Sequence, residues 1–156
     1  MDTVTFIGHS EIYRLDETRL KEVIENSIKQ GAKLFLNGGM GAFDYACARI
    51  VKELQKEYPD IKSELVIPYL TFQPRSMDCF DSSVYPDGFE KYHFKSAIPA
   101  RNKWMINHSQ LAICYVDHGW GGAAQSYEYA KKKKIQIINL GSYEGEGDRN
   151  VQKENA

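Results

Sequence analysis

Five short apolar runs alternate with amphipathic helical patterns along almost the whole chain, and this alternation restricts the fold more than any other feature. The runs are TVTFIG (Thr3–Gly8), AKLFLNGG (32–39), KSELVIPYL (62–70), LAICYV (Leu111–Val116) and IQIINLG (135–141). Between them, apolar residues recur at helical spacing: Leu20, Val23, Ile24 and Ile28, then Phe43, Cys47, Ile50 and Leu54. Asp16 is placed to cap the first of these helices and Gly31 to end it. Strands that alternate with helices pair in parallel, each helix carrying the chain back across the sheet. The expectation is one α/β domain over residues 1–141, a mostly parallel five-stranded sheet with helices on both faces. Residues 142–156 read as a polar, flexible C-terminal tail. LAICYV is apolar throughout, as in a strand covered on both sides.

The 156 residues are 42% hydrophobic and 26% charged, which suits one packed domain. A net charge of −1 argues against a dedicated nucleic-acid binder, which usually shows a basic excess. No apolar stretch approaches transmembrane length, and the N-terminus lacks a signal-peptide pattern, so a cytoplasmic protein without a membrane partner is expected. Cys47, Cys79 and Cys114 show no CxxC spacing and read as reduced thiols, the first and last in the core. The long segment 71–97 carries Phe72, Phe80, Tyr85, Phe89, Tyr92 and Phe94. So much aromatic area predicts packing over a pocket or across a dimer interface. A helix resumes at 98–109, with Pro99 near its first turn. The lysines 131–134 are expected at a helix C-terminus, solvated.

Ligands of open parallel sheets bind outside the carboxyl ends of the strands, so three turns matter. The first is Gly8-His9-Ser10, where a glycine allows close backbone approach beside a hydroxyl and a ring donor. It reads equally as an ordinary strand exit. The second is NGGMGAFD, with Gly38, Gly39, Met40 and Gly41. Its unobstructed N–H groups and the following helix favour an anion. Asp44 in that helix either stabilises the dipole or accepts from a ribose hydroxyl. The third is DHGWGGAAQS, with Gly119, Gly121, Gly122 and Ala123. Trp120, a large aromatic between glycines, is placed to cover a base or a ribose. Arg101 and Asn102 open the helix before LAICYV, and Arg101 suits bidentate binding of phosphate. The second turn, NGGMGAFD, departs from both GxGxxG and GxxxxGK[ST]. His93, His108 and His118 lack metal-ligand spacing, so no metal is expected.

Two longer segments carry a resemblance. GGMGAFDYACARIVKELQKEYPDIKSELVIPYL and ARNKWMINHSQLAICYVDHGWGGAAQSYEYAKKK resemble the SLOG superfamily, Rossmann-like relatives of DprA and the LOG phosphoribohydrolases, and within it the YpsA-like group. The likeness runs from the first strand to the last. It implies a nucleotide-like ligand such as ADP-ribose or an NAD derivative, no required cofactor, and self-association into a dimer or larger homo-oligomer. Carried over by residue, the ligand-facing set is Gly8, His9, Ser10, Gly38, Gly39, Met40, Gly41, Asp44, Arg101, Asn102, Gly119, Gly121, Gly122 and Ala123.

LOG enzymes bear PGGxGTxEE, whose glutamate works with an upstream arginine to cleave an N-glycosidic bond. Here DHGWGGAAQSYE places alanine or glutamine at those positions, and Glu128 comes one helical turn later. The first expectation is therefore a protein that senses or sequesters a nucleotide derivative. The alternative is a nucleotide N-ribohydrolase or hydrolase with Arg101 and Glu128 as catalytic candidates. A third reading, by analogy with DprA, is single-stranded DNA binding, and the near-neutral charge disfavours it.

Overall fold

A computed structural model describes residues 2–145 and 152–153. The strands are β1 (Thr3–Gly8), β2 (Leu34–Asn37), β3 (Lys62–Val66), β4 (Ser82–Val84), β5 (Leu111–Tyr115), β6 (Gln136–Asn139) and β7 (Gln152–Lys153). The helices are α1 (Glu17–Lys29), α2 (Ala42–Leu54), α3 (Phe94–Asn107) and α4 (Gly122–Lys133), with a 3-10 turn at Phe89–Lys91. One sheet runs β4-β3-β2-β1-β5-β6-β7, and each of its ladders is parallel. The order reverses at β1, whose neighbours β2 and β5 leave for opposite sides. This is the switch point at which parallel sheets open a crevice.

Strand periodicity builds two cores. Along β5, Leu111, Ile113 and Tyr115 join Phe6, Phe35 and the buried faces of α1 and α2. Ala112, Cys114 and the following Val116 join Ile7 and the α4 residues Ala124, Tyr127 and Ala130. Successive side chains point to opposite faces, so one strand seals both layers, and all five of its residues are buried. Cys47 and Cys114 are core residues as expected, and Cys79 is half-buried.

The sheet has six strands of three or more residues plus the two-residue β7, where five were expected. β4 escaped notice because it is no apolar run: Ser82 and Ser83 are exposed. Hydrogen bonds define it instead. Asp81 accepts from the Ser63 amide at 2.7 Å and from Gln55 Nε2 at 2.7 Å, and the Ile67 amide donates to Val84. β7 falls in the stretch expected to be a tail; the rest of that stretch beyond 145 lies outside the described residues. Before it, the Tyr143 amide donates to the Val116 carbonyl.

Two further expectations need correcting. α3 starts at Phe94, with His93 Nδ1 accepting from the Lys95 amide, so Pro99 lies inside the helix rather than in its first turn. Aromatic and polar residues at its start hid that turn from periodicity. In the lysine run, Lys131 is buried, with Nζ 3.3 Å from Glu128 and over the Tyr127 ring; its three successors are exposed.

The segment 71–97 spends much of its aromatic area on itself and the sheet edge. Phe80 packs on Tyr45 and Phe89 on Tyr85 and Tyr92. Phe94 stays largely exposed.

The Asp16 side chain accepts from the Arg19 amide at 3.1 Å, capping α1. Asp16→Ala is expected to lower the unfolding free energy by about 1 kcal/mol, read as a lower urea midpoint with an unchanged slope.

Candidate functional site

The loops after β1, β2 and β5 and the start of α3 enclose a cavity of about 460 Å³ at the carboxyl edge of the sheet. Of the residues singled out from the sequence, Gly8, His9, Ser10, Gly38, Met40, Asp44, Arg101, Asn102, Trp120, Gly121, Gly122 and Ala123 line it. Gly39 and Gly41 shape the wall behind it: a Cβ on Gly41 would lie 2.4 Å from the Ser10 Cα. Gly119 backs onto the Tyr143 ring. Glu128 is not among the lining residues; it faces Lys131.

Arg101 is 1% exposed, so it is neither a surface residue nor a free phosphate hand. Its Nη1 donates to the carbonyls of Gly38 and Val66, at 3.0 and 2.7 Å. Nε donates to Asn102 Oδ1, and Nη2 meets the Met40 sulfur at 2.9 Å. Burial pulls the guanidinium down to about 10, opposed by Asp44 and Tyr69, so it stays charged at neutral pH. The charge lies in the cavity wall, bonded to two backbone carbonyls, an amide oxygen and a sulfur and attracted by Asp44.

The two glycine turns differ in chemistry. In the first, Asn37 Oδ1 takes the Gly39 amide and Asp44 Oδ2 the Met40 amide, at 2.8 and 3.0 Å. The Gly41 amide also bonds Asp44, and the Ala42 amide donates to Ser10. The carboxylate of the chain itself thus occupies the position this nest offers an anion. In the second turn, α4 begins with no side-chain cap and no acidic residue in its first turn. Its leading N–H groups have no partner within the helix. Gly121 holds φ +91°, and a Cβ on Gly122 would meet nothing within 4 Å.

At the α4 side, three rings stack in a column. His9 and His118 lie 3.6 Å apart and 6° from parallel, and Trp120 follows at 3.8 Å. Asp117 Oδ1 is 2.7 Å from His118 Nδ1 and 3.3 Å from His9 Nε2. Desolvation is the largest influence on His9 and lowers its pKa; His118 adds to this and Asp117 opposes it. Trp120 is 71% exposed. Sequence reasoning missed Asp117 as a partner of both histidines, because His9 and Asp117 are 108 positions apart. It also missed Glu11, Ile98 and Ser126 in the lining, which carry no motif signal.

A family model described as the YspA SLOG family matches residues 8–140. An uncharacterized SPbeta prophage-derived protein, YoqJ of Bacillus subtilis strain 168, is 26% identical over 135 residues, 73% of this chain and 79% of the relative. Among solved structures, DNA processing protein A from Helicobacter pylori, described by its single-stranded DNA binding mode, superimposes with TM-score 0.67 and 17% identity over 97% of this chain and 74% of that one. The molybdenum cofactor binding protein of Rippkaea orientalis gives TM-score 0.61 and 16% identity over 91% and 77%. At such identities the structural matches speak for the fold alone. Among the described residues, no helix is long and apolar enough to cross a membrane.

Burial raises the Asp44 carboxyl above its ordinary range, against the two amide bonds and Arg101. The folded chain therefore keeps this proton to higher pH than the unfolded chain, and the cost of ionising Asp44 grows as pH rises from about 4 through the raised value. Asp44→Asn removes that cost while its amide oxygen still accepts from Met40. Its stability relative to the parent should rise with pH across that window and then level off, as measured by denaturant unfolding at stepped pH. A falling difference would contradict the assignment.

Proposed function

The chain belongs to the YspA SLOG family, and from that premise we propose that it binds a nucleotide derivative of the ADP-ribose or NAD type in the cavity at the carboxyl edge of its sheet. Phosphate sits on the open N-terminus of α4, and the sugar hydroxyls face Asp44 and Asn102 across the cavity. The observation that carries this reading is the contrast between the two turns. An anion is repelled where Asp44 fills the first nest and attracted where α4 presents unpartnered amides.

Other features support it. A cavity of about 460 Å³ falls within the range of small-ligand sites. The Arg101 cation in the wall gains from a nearby anion, and Trp120 offers a flat apolar face beside the α4 turn. A hydrolytic reading draws less support, since Glu128 lies outside the lining and Asp44 is engaged with backbone amides. The fold shared with DNA processing protein A leaves single-stranded DNA as the weaker alternative, given the net charge of −1.

Calorimetry against ADP-ribose, NAD and AMP tests the proposal, and absence of saturable binding to all three would remove it. Gly122→Asp places a carboxylate in open space at the first turn of α4, where it favours the helix dipole. This variant should fold at least as well as the parent and bind at least about tenfold more weakly, a loss of about 1.4 kcal/mol.

A further inference from the structure

At the α4 side of the cavity, two imidazoles and one carboxylate converge from separate parts of the chain. His9 follows β1, while Asp117 and His118 follow β5. One oxygen, Asp117 Oδ1, lies 3.3 Å from His9 Nε2 and 2.7 Å from His118 Nδ1. The ligand atoms of the three residues all fall within 4.8 Å of one another. We propose that His9, Asp117 and His118 form a binding site for a divalent transition-metal ion of the zinc class at the mouth of the cavity.

Three protein ligands of this kind leave a coordination position open, as in zinc sites that bind water or substrate. Two nitrogens and one carboxylate oxygen suit zinc, cobalt, nickel or copper, whereas magnesium and calcium prefer all-oxygen sets. The geometry supplies more than proximity. The Asp117 amide donates to His9 Nε2 at 3.2 Å, so this nitrogen carries its lone pair toward the Asp117–His118 loop, in the tautomer that ligates. His9 is buried and held, whereas His118 is only partly covered and follows an exposed aspartate. His118 is therefore the ligand with solvent beside it into which to turn. Two rings 6° from parallel cannot both aim a lone pair at one ion. Metal uptake must swing His118 out of the stack and away from Trp120, and exchange the Asp117 amide contact for the metal bond.

Metal uptake needs no nucleotide, so the site stands or falls independently of the ligand proposed above. If both hold, the open position faces the cavity to which α4 directs its amides, and metal and helix would meet the same anionic group.

The test is titration of cobalt(II), then zinc(II), into the chelator-treated full chain without nucleotide. One equivalent of cobalt should produce visible bands of a low-coordinate nitrogen and oxygen site, displaced by zinc and not by magnesium. His118→Gln and Asp117→Asn should each weaken uptake at least about tenfold, with circular dichroism unchanged. His108→Gln, which alters an exposed histidine stacked on Trp104, should leave uptake as in the parent. Absence of stoichiometric uptake, or equal uptake by His118→Gln, would overturn the proposal. Nucleotide calorimetry repeated in chelator separates the two ideas: binding retained there, without metal uptake by the free chain, leaves the ligand pocket standing and removes the metal.

Discussion

The guanidinium of Arg101 joins the parts of the molecule on which the cavity depends. It leaves α3 and bonds the carbonyls at the ends of β2 and β3, tying a helix on one face to two strand ends. Burying a cation without a bonded carboxylate costs several kcal/mol. Hydrogen bonds to a charged donor, at about 1.5–3 kcal/mol each, offset much of it. Gly38 suits the arrangement, because a Cβ there would come within 3.1 Å of the Arg101 Cζ and press on the guanidinium. One glycine in the first turn thus makes room for an arginine, and both line the cavity.

Two glycine turns that look alike in the sequence have become opposite surfaces. The difference lies three residues into each helix. After the N-cap Gly41 that position is Asp44, which reaches back to the Met40 and Gly41 amides as an acidic residue there commonly does. After the N-cap Gly121 it is Ala124, which has nothing to reach with. A binding edge built this way has direction: one end supplies its own negative charge and the other lacks one.

Much of the fold was legible because burial writes itself as periodicity. β5, apolar at successive positions, declared a strand sealed on both sides, and the inward set of α2 followed its helical spacing. The features that stayed hidden are those held by polar bonds. β4 rests on Asp81, the start of α3 on the His93 ring, and neither leaves an apolar trace. The cavity lining was largely readable, since loops at the carboxyl ends of parallel strands must share one edge. The union of His9 with Asp117 and His118 was not, because a contact across 108 positions exists only once β1 and β5 are paired. Glu128 shows the converse: the likeness to LOG enzymes made it a candidate although it comes one turn late, and the helix turns it toward Lys131.

Trp120 stands between Gly119 and Gly121, exposed and stacked on His118. The chain has only two tryptophans, and the other, Trp104, is half-buried on His108 along α3. An indole against an imidazole is an electronically coupled pair, and its emission changes when its neighbour gains a proton, rotates away or is replaced by another ring. The chain therefore carries its own optical gauge at the mouth of the cavity, and His108→Gln would leave Trp104 as a steadier second indole against which to read it.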